Sequence, residues 1–293
     1  MLKKLGFAVV IAAIPNVASA ESIQEKVVIG AAGQTFIGTL ELPAGDPAPV
    51  VLLLHGFTGS RDELPIPNTK EGVFSRTARL LAENGYASLR IDFRGSGESI
   101  SDMTYEKTTF DGQAADATAA IDYLKSLPRV KGDDIYLIGW SQGGLVASAV
   151  AGRGGNLDAL ALWEAVGDPK ATYGGLLTPE VLQKGMAAKA DETITTKLPW
   201  GADVSLNGAF FDGIETFDAM KEIAAYKGPL LVTKGTKDTT VLPQVADNFI
   251  AAHDGPEELW TEDMDHVFNV FANTDTLDKM VGATVGYFKA NND

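Results

Sequence analysis

The sequence predicts an α/β fold: a mostly parallel central sheet with helices on both faces and an inserted cap. Three observations carry this. Short apolar runs recur along the chain, stretches with helical periodicity separate them, and several runs end in Gly-bearing turns. Strands that alternate with helices are joined by crossovers, and crossovers make parallel sheets.

Residues 26–30 and 35–42 read as two short strands around the turn Ala31-Ala32-Gly33, an antiparallel start. Residues 49–54 form a continuous apolar run ending in His55-Gly56, the pattern of a strand buried on both faces. Residues 73–84 have helical spacing, and Gly85 stands just past their end. The alternation continues with a strand over 87–92, an alanine-rich helix over 112–127, a strand over 134–139, a helix over 142–151 and a strand over 159–164. Between 168 and 227 the rhythm breaks. A helical patch (179–190), an alternating segment (193–204) and the aromatics Tyr173, Trp200, Phe210 and Phe211 fill this stretch. An ordered insertion of this length is often an active-site lid, so it reads as a cap. A strand over 230–234, a helix over 242–252, a strand over 258–261 and a helix over 274–291 complete the order.

Residues 1–20 stand apart from this domain, which spans 21–293. Lys3 and Lys4 precede an apolar run over 5–14, Pro15 breaks it, and Ala18-Ser19-Ala20 offers small residues for cleavage before Glu21. The run is about half the roughly 20 residues a membrane-spanning helix needs. It reads as a cleaved signal peptide, with a periplasmic or secreted mature protein. The alternatives are a membrane anchor or a buried N-terminal helix.

The chain has no cysteine, which excludes thiol catalysis and thiolate zinc sites, and three histidines leave little for any other metal centre. No metal or cofactor is expected. Formal charge is −15; without Lys3 and Lys4 it is −17, from 22 basic and 39 acidic residues. Such a surface argues against nucleic acid and against stable association with anionic membranes.

The strongest chemical signal is Gly139-Trp140-Ser141-Gln142-Gly143, between an apolar strand and a helix. A serine on a strained strand-to-helix turn needs glycines two positions away for close packing, and the helix N-terminus favours developing negative charge. Ser141 is the expected nucleophile. Its competing reading is a plain Gly-rich turn. Upstream, Leu54-His55-Gly56-Phe57-Thr58-Gly59 supplies a loop whose Phe57 amide, with that of Gln142, is the expected oxyanion hole. His55 is read as shaping that loop. Asp238 ends the strand-and-turn segment Lys234-Gly235-Thr236-Lys237-Asp238, where open parallel sheets build their sites. His266 follows the last strand and is the expected base, with Asp238 as its orienting acid. His253 reads as a helix C-terminal residue, and Asp263 and Asp265 stand too near His266 in sequence to face its ring. Trp140 and Trp200 are candidate pocket residues.

These stretches, with Arg90-Ile91-Asp92-Phe93-Arg94-Gly95-Ser96-Gly97-Glu98-Ser99, resemble bacterial α/β-hydrolase esterases, nearest their cinnamoyl (feruloyl) esterase-like branch. The resemblance covers residues 50–153, plus the acid and histidine loops by position. It implies a cofactor-free serine hydrolase acting on small carboxylic esters, with structural rather than catalytic roles for Asp92 and Arg94. The sequence departs from the group at Trp140, where histidine is common, and in a longer segment over 61–72. A peptidase or thioesterase with the same triad, and a non-catalytic binding module on the same scaffold, are the rival readings.

Overall fold

The computed structural model describes residues 22–45 and 47–292; the signal segment expected over 1–20 lies outside the described residues. Strands β1 (Ile23–Ala31) and β2 (Gln34–Leu42) form an antiparallel hairpin. Its turn residues Ala32 and Gly33 both take positive φ, 51° and 78°, the twist that suits a two-residue hairpin. There follow β3 (Ala48–Leu54), α1 (Val73–Glu83), β4 (Ala87–Ile91), α2 (Phe110–Ser126), β5 (Val130–Trp140), α3 (Gln142–Gly152) and β6 (Ala159–Trp163). The segment between β6 and the next sheet strand holds α4 (Pro169–Leu176), α5 (Pro179–Ala187), a hairpin of β7 (Thr193–Lys197) and β8 (Asp203–Asn207), α6 (Gly208–Thr216) and α7 (Ala219–Ala225). The chain closes with β9 (Leu230–Gly235), α8 (Gln244–Ala252), β10 (Glu257–Glu262) and α9 (Asp275–Ala290).

The eight-stranded sheet has the order β1-β2-β4-β3-β5-β6-β9-β10. It is parallel from β4 to β10, and β2 joins β4 antiparallel. The two-residue side-chain period sorts each central strand between two layers. On β3, Val50, Leu52 and Leu54 face one core with α2 and α3, while Val51 and Leu53 face the other with α1 and α9. On β6, Leu160 and Leu162 divide from Ala159, Ala161 and Trp163 in the same way. Continuous apolar runs are therefore what a doubly covered sheet requires.

The inserted segment is denser in structure than its sequence suggested. The alternating stretch over 193–204 covers β7, the hairpin turn and the start of β8, and Tyr173, Phe210 and Phe211 are fully buried in the same core as α2 and α3.

Candidate active site

Ser141 stands at the turn from β5 into α3 with φ 54° and ψ −119°, a backbone state few side-chain-bearing residues adopt. Two clearances make the turn possible. A side chain on Gly143 would run into the Leu54 carbonyl, and one on Gly139 into the Gly143 carbonyl. The Ser141 amide donates to Trp163 O at 3.0 Å, and its carbonyl accepts from Val166 N at 3.0 Å, so the turn is tied to β6. Other non-glycine residues with positive φ stand at the same end of the sheet: Thr58, Glu63, Glu164, Phe268 and Asn269. Backbone strain often gathers at functional sites, and Ser141 has five such residues at its end of the sheet, while Ala32 lies in the β1–β2 turn.

The structure brings Ser141, His266 and Asp238 together. His266 Nε2 lies 2.9 Å from Ser141 Oγ, and Nδ1 lies 2.7 Å from Asp238 Oδ2. An ionised carboxylate only accepts, so the ring proton belongs on Nδ1 and leaves Nε2 free to accept from the serine. The other Asp238 oxygen, Oδ1, accepts the amides of Thr240 at 2.7 Å and Val241 at 2.9 Å, which fix the acid from behind. Trp140 Nε1 donates to the His266 carbonyl at 3.1 Å, holding the histidine loop over the turn.

Phe57 and Gln142 offer free amides. In the loop after β3, the Gly56 amide is taken by Glu63 Oε1, that of Thr58 by the Tyr105 hydroxyl and that of Gly59 by the Gly56 carbonyl. The Phe57 N–H has no protein acceptor among the described residues. Gln142 opens α3, where helix geometry provides no acceptor for its N–H. The side chain of Gln142 also has work of its own. It donates to Gln113 at 2.7 Å and accepts from the Tyr173 hydroxyl, linking α3 to α2 and α4.

The remaining candidates sort by their partners. His55 is fully buried, which lowers its pKa and keeps it neutral. Its Nδ1 donates to Gly56 O at 2.8 Å and its Nε2 accepts from Phe93 N at 3.2 Å, so it shapes the loop. His253 ends α8 and faces Glu257 at 3.2 Å. Asp265 accepts the amides of Val267 and Asn269, and Asp263 pairs with Lys237, so neither turns to the His266 ring. Asp92 holds Arg61 and the Glu98 amide, and Arg94 pairs with Asp116, both as braces of the fold.

A cavity of about 430 Å³ opens over Ser141 and His266. Phe57, Leu64, Trp140, Leu176 and Val267 contribute apolar wall, and Trp200 and Phe271 stand at its rim, 56 % and 63 % exposed. Trp200 thus reaches the cavity, whereas Phe210 and Phe211 do not line it.

Two carboxyls near the site were not singled out from sequence. Glu63, in the longer segment after the loop, lines the cavity, and burial raises its pKa to about 8. Glu164 stands at the carboxyl end of β6, and burial first, then the neighbouring Asp238 carboxyl, raises its pKa to about 9. The strand-end rule that selected Asp238 points equally to Glu164; for Glu63 the only signal was the extra length of its segment.

A family model described as the α/β hydrolase fold matches residues 49–190. Lipase 1 of Psychrobacter immobilis is 28 % identical over 267 residues, covering 80 % of this chain and 75 % of that protein. Among solved structures, Est1E from Butyrivibrio proteoclasticus matches with a TM-score of 0.69 at 21 % identity, over 91 % of this chain and 98 % of that one. The esterase domain of a Rhodothermus marinus protein matches with a TM-score of 0.67 at 23 % identity, over 92 % and 98 %. At such identities the solved structures establish a shared architecture. With the sheet order, the strained serine turn between β5 and α3 and the family model in agreement, this chain has the α/β hydrolase fold.

Proposed function

We propose that the protein is a serine carboxylesterase with Ser141 as nucleophile, His266 as general base and Asp238 as orienting acid. The observation that carries this reading is the unbroken hydrogen-bond chain from Ser141 Oγ through His266 to Asp238, opening on an apolar cavity. In the reaction, Ser141 Oγ attacks the ester carbonyl while its proton passes to His266 Nε2. The amides of Phe57 and Gln142 receive the oxyanion. Collapse of the tetrahedral intermediate expels the alcohol, which takes the proton from Nε2. Water then repeats the sequence on the acyl-enzyme, releasing the acid and restoring Ser141.

A cavity of this size, walled by aromatic and aliphatic side chains, suits a small ester with an apolar acyl or alcohol part, hydroxycinnamoyl esters included. The structural neighbour Est1E has been solved with ferulic acid bound, which supports that choice of class. The segment over 1–20 supports export, with a mature chain from Glu21 acting in the periplasm or the medium. The deciding experiment combines fluorophosphonate labelling with a panel of p-nitrophenyl esters and methyl hydroxycinnamates. Labelling at Ser141 together with turnover of at least one ester is the expected result. A folded protein that neither labels nor turns over any ester is a binding module on a hydrolase scaffold.

A further inference from the structure

We infer that Glu63 is a specificity-determining residue, selecting esters that carry a hydrogen-bonding oxygen within a few bonds of the scissile carbonyl. This rests on the esterase reading above and adds a substrate feature to it.

Glu63 lines the cavity that Ser141 and His266 share. The point where a Gly56 side chain would begin lies 3.5 Å from Ser141 Cβ and 3.6 Å from Glu63 Oε1. Nucleophile and carboxyl are therefore separated by no more than those two spans, the reach of a substituent close to the reacting carbonyl. The φ of 57° at Glu63 and the bond from the Gly56 amide to Oε1 hold the carboxyl in this place. The second oxygen, Oε2, makes no hydrogen bond among the described residues.

The surroundings then set the selectivity. The apolar walls of that cavity include Phe57, Leu64, Trp140 and Val267. A plain aliphatic ester would strip water from Oε2 and offer nothing in return, and an unsatisfied buried polar group costs roughly tenfold to a hundredfold in binding. A substrate with a hydroxyl or ether oxygen at that point restores the bond. Sites built around such a bond discriminate strongly against analogues that lack it.

Charge state decides which partners qualify. Burial is the main cause that raises the carboxyl to about 8, the charge of Asp92 adds to it, and the Gly56 amide opposes it. Asp92 is itself paired with Arg61, Arg61 also meets Glu98, and the Tyr105 hydroxyl accepts from the neighbouring Thr58 amide. His55 is neutral beside the loop, and His266 lines the same cavity. Near pH 7 the Glu63 carboxyl is neutral, so it donates as well as accepts. Above pH 8 it becomes an acceptor only, and an ether oxygen loses its donor.

The test compares kcat/KM for matched esters in wild type, Glu63→Gln and Glu63→Leu. One arm uses p-nitrophenyl butanoate with its 3-hydroxy and 3-methoxy derivatives; the other uses ethyl and 2-hydroxyethyl butanoate, so acyl-side and alcohol-side oxygens are separated. Wild type should favour the oxygen-bearing ester of at least one arm by on the order of tenfold or more. Glu63→Gln, which keeps a donor and the bond to Gly56, should retain the preference, and Glu63→Leu should bring it near unity. The preference for the methoxy ester should fall between pH 7 and 9 in wild type and stay level in Glu63→Gln. If Glu63→Leu does not fold, that contrast in pH profiles decides alone. Equal ratios in all three proteins, or no preference on either arm in wild type, overturn the inference while leaving the esterase intact. A chain that turns over no ester and does not label at Ser141 fails the esterase reading, and this inference with it.

Discussion

The Ser141 turn and the segment over 168–227 meet at one cavity, yet they are held by different forces. Around the turn, backbone does the holding. Amide and carbonyl of Ser141 are both tied to the β6 end, and Gly139 and Gly143 leave no room for a methyl group. In the inserted segment, side chains hold. Phe210 packs on Phe57, Phe110 and Tyr173 with ring centroids 5.7, 5.1 and 5.2 Å apart, and Tyr173 reaches the side chain of Gln142. Backbone geometry has few solutions, so the Ser141 turn is fixed in place. Aromatic packing has many, so the pocket wall is free to vary while the chemistry stays in place.

The contrast is tested most severely at the turn. Ser141→Ala should lower ester turnover on the order of 10⁴-fold or more without unfolding the protein, because nucleophile, base and acid act as a unit. His266→Ala should be similarly impaired and His253→Ala should keep most activity, since His253 faces Glu257 at the end of α8. Reversed phenotypes for the two histidines would move the base elsewhere.

Within the inserted segment, burial separates anchors from wall. Phe210→Ala removes a fully buried ring and should cost about 3–5 kcal/mol of stability, read from thermal or denaturant unfolding. Trp200 is exposed at the rim, so Trp200→Ala should leave the melting temperature nearly unchanged. It should instead shift the ratio of kcat/KM between a bulky aromatic ester and an acetyl ester by about 1–3 kcal/mol. A Trp200→Ala protein that melts early with unchanged selectivity would make this tryptophan an anchor too.

The smallest effect concerns Glu164, behind the turn. Its carboxyl pKa stands at about 9, against 4.5 for an ordinary glutamate, first through burial and then through Asp238. A raised carboxyl pKa means that its contribution to stability is whole below 4.5 and is lost as pH climbs through about 9. The melting temperature of wild type should therefore fall more steeply between pH 6 and 9 than that of Glu164→Gln. Glu63 contributes a fall of the same sign up to about pH 8, so the variant should still slope. Parallel curves for the two proteins would show that Glu164 does not titrate in this range.

The sequence by itself determined the fold class, the serine turn and the choice of Asp238 and His266 as the residues to look for beside Ser141. Each of these rests on local rules. A two-residue period sends alternate side chains to two layers, glycines mark where strand and helix must touch, and a residue's place after a strand tells which end of the sheet it occupies. The partners of Glu63 and Glu164, the link from Gln142 to Tyr173 and the division of labour between Trp200 and Phe210 were decided by the tertiary structure alone. Glu164 reaches Asp238 across more than seventy residues of chain, and Tyr173 reaches Gln142 across 31. A carboxyl is kept neutral by the surfaces that enclose it, and an aromatic is an anchor or a wall according to which side meets solvent. Both are properties of packed surroundings, and no local pattern of residues contains them.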